Sequence, residues 1–249
     1  MDGVLWKGDA PIGDLPTIFD HIQVQGLKVA FATNNGTQTP EQYMERLFRL
    51  GVKIEPWQVV TSALGVAELL SQKYPTGGPI FAIGGAGVMA ALREKDFDLL
   101  TVEDAKDAQA VVIGIDLQIN FEKMREATLL VRRGVPFYAT NPDKTFPTPR
   151  GEIPGAGAWI AVIVTATGRE PIYAGKPSPY LLDIARKRLE SECGQTLVVG
   201  DRLETDIAGG QAAGFPVALL LSGVSTRTQA TAWKPNVDII AEDLAQLVG

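Results

Sequence analysis

Histidine and cysteine each occur once in the 249 residues, as His21 and Cys193. A single cysteine closes no internal disulfide and gives too few thiolates for a cysteine-built zinc site, which fits a reducing compartment. Cys193, between Glu192 and Gly194, reads as a helix-end residue and not as a nucleophile. A single histidine excludes metal centres made of several imidazoles. His21 sits in a helical stretch, 15–24, with no acidic or nucleophilic partner motif, and reads as structural. Basic charge is scattered: 23 Lys and Arg against 29 Asp and Glu leave a net charge of −6. Without a basic cluster nothing grips a phosphate backbone, so nucleic acid is not an expected partner. No apolar run approaches the roughly 20 residues of a membrane-spanning helix. No basic-then-apolar leader opens the chain. The composition, 45% hydrophobic and 21% charged, therefore predicts a soluble, cytoplasmic globular protein with no membrane partner and an ample core.

What is present is a strand–helix alternation along almost the whole length. The runs 27–33, 80–83, 110–113, 136–139, 196–199 and 217–220 read as buried strands. Stretches 40–50, 87–95, 121–133, 155–166, 179–190 and 204–213 carry apolar residues at helical spacing. This order predicts an α/β fold with Rossmann-like, mainly parallel sheets. Two punctuated stretches, 74–79 and 168–171, read as hinges. They predict a discontinuous core, 1–77 plus 172–249, with a second α/β block inserted at 78–171.

In open α/β sheets ligands bind beyond the carboxyl ends of strands, so the residues just after the apolar runs are the candidates. Thr33-Asn34-Asn35 offers a hydroxyl and amides suited to phosphate oxygens. Gly200-Asp201, with Asp206 five residues on, places two carboxylates at a strand end. Such hard oxygen ligands suit Mg²⁺, which keeps several waters and is completed by a substrate phosphate. Lys176, in Gly175-Lys176-Pro177-Ser178-Pro179, is a cation held in a rigid turn, able to offset charge between a carboxylate and a phosphoryl group. Taken singly these pieces have ordinary readings: Asp206 as a helix cap, 33–36 as a turn, Lys176 as a solvated lysine.

Their order along one chain is specific. Asp2-Gly3-Val4, then strand-Thr33-Asn34-Asn35, then Gly175-Lys176-Pro177, then Gly200-Asp201-x-x-x-x-Asp206 resembles the four signatures of the haloacid dehalogenase superfamily. The inserted block and the string Ala139-Thr140-Asn141-Pro142-Asp143 are similar to its large α/β-cap branch of phosphatases, which acts on nitrophenyl, pyridoxal, glycolate or nucleotide phosphates. The resemblance implies a Mg²⁺-dependent hydrolysis of small phosphorylated metabolites. Thr33 and the Asn34 amide would hold the transferring phosphoryl group, and Lys176 would orient the nucleophile. Asp201 would ligate Mg²⁺, and Asp206 would support the ion or its waters. Asp2 would be the general acid/base, its carbonyl also facing the metal. Trp6 would belong to a flap, and Asn141 and Asp143 would face the substrate, although Asn-Pro-Asp is equally a turn. A cap-to-cap homodimer is a further implication.

One departure stands out. The family signature is Asp-x-Asp-Gly-Val, the first aspartate being the nucleophile. Here Met1 occupies x, so the nucleophile and its strand are expected just ahead of Met1. In the chain as printed the strands ending at Thr33 and Gly200 should then flank an open slot roughly 10 Å wide, twice the strand spacing. Two alternatives compete with the enzyme. One is a catalytically impaired phospho-ligand binder. The other is a dinucleotide site at Gly85-x-Gly87-x-x-Ala90, which needs an acid about 20 residues on; Glu103 and Asp104 are near that distance.

Overall fold

The computed structural model describes residues 1–148 and 150–249. The chain divides into two compact units. One comprises Met1–Ala32, Pro40–Val60 and Lys176–Gly249; the other comprises Thr33–Thr39 and Thr61–Gly175. Both are α/β with parallel sheets, as the alternation predicts. Among the described residues no helix is long and apolar enough to cross a membrane.

The second unit is built on a five-stranded parallel sheet ordered Ile172–Tyr173, Phe137–Ala139, Ala110–Ile113, Gly78–Ile83, Phe97–Leu99. Successive side chains along a strand alternate between faces. Phe81, Ile83, Val111, Ile113 and Phe137 thus join Leu130, Val131, Ile160 and Ile163 of the helices Phe121–Arg132 and Ala156–Thr167. On the opposite face Ile80, Val112 and Tyr138 meet the helices Ser62–Lys73 and Ala86–Arg93. This unit begins earlier than the punctuation at 74–79 suggests. Ala63, Val66 and Leu70 bury themselves with Val88 and Leu92, so Ser62–Lys73 is held by its neighbour helix.

The described strands of the first unit fall into separate sheets. Val198–Gly200, Val217–Leu220 and Ile239–Ala241 form a parallel three-stranded sheet, and Phe31–Thr33 pairs with Val59–Thr61. No described ladder joins Phe31–Thr33 to Val198–Gly200. Both line a cavity of about 630 Å³, with Ala30, Phe31 and Ala32 on one wall and Val198 and Val199 on the other. Leu27–Ala30 and Thr196–Leu197, expected as strand, lie outside the ladders because they border the same cavity. The 204–213 helix starts as a π-helical turn, Leu203–Ile207, ahead of Ala208–Ala212. Such turns are frequent at functional sites. A short hairpin, Trp6–Lys7 with Ala10–Pro11, opens the chain and seats Trp6 in the core with Leu15, Tyr43 and Leu47.

The Val198 amide donates to the Pro216 carbonyl at 2.9 Å, on the side of Val217–Leu220. Backbone groups alternate along a strand, so the Val199 amide points to the cavity side. Hydrogen exchange should therefore show Val199 exchanging at least ~10-fold faster than Val198, since an amide outside a ladder lacks that protection. Equal protection of the two amides would contradict the open geometry.

Candidate active site

The carboxyl end of Val198–Gly200 delivers Asp201, and the π-helical turn folds Asp206 back toward it. Asp206 Oδ2 accepts the amides of Asp201 at 3.2 Å and Arg202 at 3.1 Å. Its Oδ1 accepts Lys176 Nζ at 2.6 Å, and the same ammonium donates to the Ala32 carbonyl at 3.0 Å. Lys176 and Asp206 are both buried. Burial alone pushes the Asp206 carboxyl up, but the Lys176 charge and hydrogen bond outweigh it and hold the group below the usual carboxylate range. Asp201 behaves oppositely. Burial, and then the Asp206 charge, push it up despite the Val224 amide that donates to its Oδ2 at 3.0 Å.

Two glycines press on Asp201. A Cβ at Gly3, whose φ is +72°, would stand 2.3 Å from Asp201 Oδ2, and one at Gly223 would stand 2.1 Å from it. The backbone after Asp2 is thereby packed directly on this carboxylate, and Ser222 Oγ ties it down by donating to the Gly3 carbonyl at 2.7 Å. Lys176, Asp201 and Asp206 thus form one cluster in the first unit, with the backbone that follows Asp2 packed on it. Among the described residues no three His, Cys, Asp or Glu side chains gather as an all-protein cage. Mg²⁺ does not require one, since one or two carboxylates suffice when waters and a phosphate complete the shell. Burial, and then the Asp206 charge, disfavour the Asp201 carboxylate, and nearby opposite charge relieves such a group.

Thr33, Asn34, Asn141 and Asp143 gather in the second unit. Asn34 Nδ2 donates to both Asp143 carboxylate oxygens, at 3.3 and 3.2 Å. The Asn34 carbonyl accepts Asn141 Nδ2 at 2.7 Å and Ser62 Oγ at 2.5 Å. Asn141 Oδ1 accepts the Asp143 amide at 3.1 Å, so Asn-Pro-Asp is an Asx-type turn as well as a partner of Asn34. Thr33 is buried, and its Oγ1 accepts the Asn35 amide at 3.2 Å.

The glycine-rich stretch after Gly78–Ile83 is a strand–helix turn filled by protein. The Gly85 amide donates to the Ile115 carbonyl at 2.8 Å, and Gly87 donates to Thr37 at 3.4 Å. A Cβ on Gly87 would stand 2.5 Å from the Gly36 carbonyl oxygen. Chain backbone occupies the approach that a pyrophosphate would need. Glu103 follows no strand directly, because Phe97–Leu99 ends earlier. Pattern reading missed the loop 222–225. It lies just past Val217–Leu220, at a strand's carboxyl end, and that position was the signal available. Its Val224 amide holds Asp201, and Ser225 Oγ accepts the Leu203 amide at 3.1 Å.

The buried pair is a stability element as well as a site element. Asp206→Ala should cost about 3–5 kcal/mol in urea unfolding, the usual loss when one partner of a buried pair is removed. Adding Lys176→Met should recover part of that loss, since contacting residues couple non-additively. Strictly additive single and double variants would contradict the pairing.

Comparison with known proteins agrees with this geometry. A model described as haloacid dehalogenase-like hydrolase matches residues 1–98, and one described as HAD-hydrolase-like matches 173–247. An acid sugar phosphatase of Staphylococcus aureus is 37% identical over 226 residues, covering 91% of this chain and 86% of that protein. The NagD structure from E. coli K-12 superimposes with a TM-score of 0.91 at 29% identity, over 99% of this chain and 95% of that one. A glycerol phosphate phosphatase of Mycobacterium tuberculosis, in complex with magnesium, gives a TM-score of 0.92 at 33% identity, over 99% of this chain and 74% of that one. Four ordered motifs, a parallel α/β architecture and these relatives place the chain in the haloacid dehalogenase superfamily, as a phosphatase of its NagD-like branch.

Proposed function

We propose that the protein hydrolyses small phosphate monoesters with Mg²⁺, through a phospho-aspartate intermediate. The observation that carries this reading is the buried Lys176–Asp206 pair set against an Asp201 whose own charge is disfavoured. A fixed ammonium beside a carboxylate that calls for a cation is the charge layout of a phosphoryl-transfer site.

Asp201 and the Asp2 carbonyl would hold Mg²⁺, and Asp206 would support it through its grip on Lys176 and on the Asp201 amide. Bound there, the ion would neutralise charge on the phosphoryl oxygens. Lys176 orients the attacking carboxylate and offsets its charge. Thr33 and the Asn34 amide hold phosphoryl oxygens, while Asn141 and Asp143 contact the rest of the substrate. Asp2 protonates the leaving oxygen and then activates water. The attacking carboxylate belongs two positions ahead of Asp2, on a strand seated between Phe31–Thr33 and Val198–Gly200. Support comes from the 630 Å³ cavity bordered by both strands. The relative named for acid sugar phosphatase activity puts sugar phosphates first among candidate substrates, ahead of nucleotide, pyridoxal and glycolate phosphates.

The test is turnover of p-nitrophenyl phosphate and a panel of phosphorylated metabolites by the protein carrying that strand and its aspartate. Activity should depend on Mg²⁺, vanish with EDTA and return with the metal. Asp201→Ala and Lys176→Ala should each lower kcat at least ~10²-fold, the scale of losing one electrostatic group in a preorganised site. Metal-independent turnover, or an Asp201→Ala variant as active as the parent, would sink the reading. Phosphate binding without any turnover would favour a phospho-ligand-binding protein instead.

A further inference from the structure

Trp6 is completely buried, yet its indole N–H reaches Asp2, whose side chain is on the surface. Trp6 Nε1 donates to Asp2 Oδ1 at 2.9 Å. A buried indole N–H needs an acceptor, and here the acceptor is the carboxyl group proposed above as general acid. The intervening backbone is closed on itself. The Leu5 amide donates to the Met1 carbonyl at 2.8 Å, and the Gly3 amide donates to the Trp6 carbonyl at 2.8 Å. The ring is clamped from its other side. The Arg46 guanidinium, on the helix Pro40–Arg49, stacks over it at 4.2 Å from the centroid. The same guanidinium donates to the Gly8 carbonyl and lies 3.7 Å from the Asp9 carboxylate, both in the turn of the Trp6–Lys7/Ala10–Pro11 hairpin.

We propose that Trp6, held by Arg46, is a positioning residue for proton delivery by Asp2. The inference rests on the reading of Asp2 as general acid. In the transfer step the attacking carboxylate forms a bond to phosphorus. The ester P–O bond breaks with its electron pair on the leaving oxygen, which takes the proton of the Asp2 carboxylic acid and leaves a carboxylate. An N–H donated to Oδ1 marks that oxygen as an acceptor, so the transferable proton resides on Oδ2. An exposed aspartate otherwise turns about two single bonds. A rigid, buried donor removes that freedom and fixes which oxygen faces the leaving group. Positioning of this kind controls proton-transfer efficiency, and general acid catalysis as a whole supplies about 10²–10⁴-fold.

Leaving-group dependence tests the proposal. p-Nitrophenolate leaves readily without a proton, whereas an alkoxide such as that of glycerol phosphate needs one. In the active enzyme Trp6→Phe keeps the ring and deletes the donor. The ratio of kcat/KM for glycerol phosphate to that for p-nitrophenyl phosphate should fall by about 10-fold, a fraction of the general-acid contribution. The inhibition constant of inorganic phosphate, which needs no proton delivery, should stay within about 2-fold, since the phosphoryl pocket keeps its groups. If Trp6→Phe does not fold, a benzothienyl side chain of the same shape but without the N–H supplies the same readout. Asp2→Asn is the control. An unchanged ratio in Asp2→Asn overturns the reading of Asp2 itself. A lowered ratio in Asp2→Asn, with Trp6→Phe like the parent, overturns the role of Trp6 alone. Equal losses on both substrates in Trp6→Phe also overturn it, because a merely structural indole would act that way.

Discussion

An ammonium buried against a carboxylate is the constraint on which the first unit's chemistry depends. Lys176 and Asp206 are both removed from water, a state that is strongly unfavourable for either alone. Their contact, the Ala32 carbonyl and two backbone amides offset that cost, and the same bonds fix the geometry. Asp206 is thereby kept ionised, and its charge falls on Asp201, which must share a small volume with it. Burial, and then that charge, disfavour the Asp201 carboxylate. Gly3 and Gly223, pressed against Asp201, deny it room to turn away.

A phosphatase site is usually described as a set of ligands around a metal. Here the protein's own charges already impose the order: one cation committed to Asp206, one carboxylate in need of a partner, and a surface aspartate steered by a buried indole. Each is placed by backbone more than by side-chain packing. The π-helical turn Leu203–Ile207 brings Asp206 back to the strand end, and the 222–225 loop returns past the next strand to hold Asp201. The turn after Asp2 folds Trp6 under its own predecessor.

Much of this was legible from the residues because strand ends announce themselves. Short apolar runs stop at Thr33 and Gly200, and polar residues follow at once, so Thr33, Asn34, Asp201 and Asp206 stood out. Order along the chain then did what single motifs cannot. Three features escaped. Residues 27–30 and 196–197 have strand composition but stand outside the ladders, and composition alone does not reveal where a strand's pairing begins. The extent of the second unit depends on Ala63, Val66 and Leu70 packing against a helix read as belonging elsewhere. The indole bond to Asp2 spans four residues that look like an ordinary turn, and only the burial of Trp6 gives it meaning. Gly85 and Gly87 show the converse, a ligand-like pattern whose amides are spent on Ile115 and Thr37.

The central claim is that Lys176, Asp206 and Asp201 form a charge array for a phosphoryl group and a divalent cation together. Calorimetric titration of inorganic phosphate, with and without Mg²⁺, measures that linkage without relying on turnover. The account predicts that Mg²⁺ tightens phosphate binding at least ~10-fold, a coupling of about 1.4 kcal/mol, and that Lys176→Ala and Asp201→Ala each abolish the tightening. Phosphate binding indifferent to Mg²⁺ in the parent, or a coupling that survives in both variants, would contradict it.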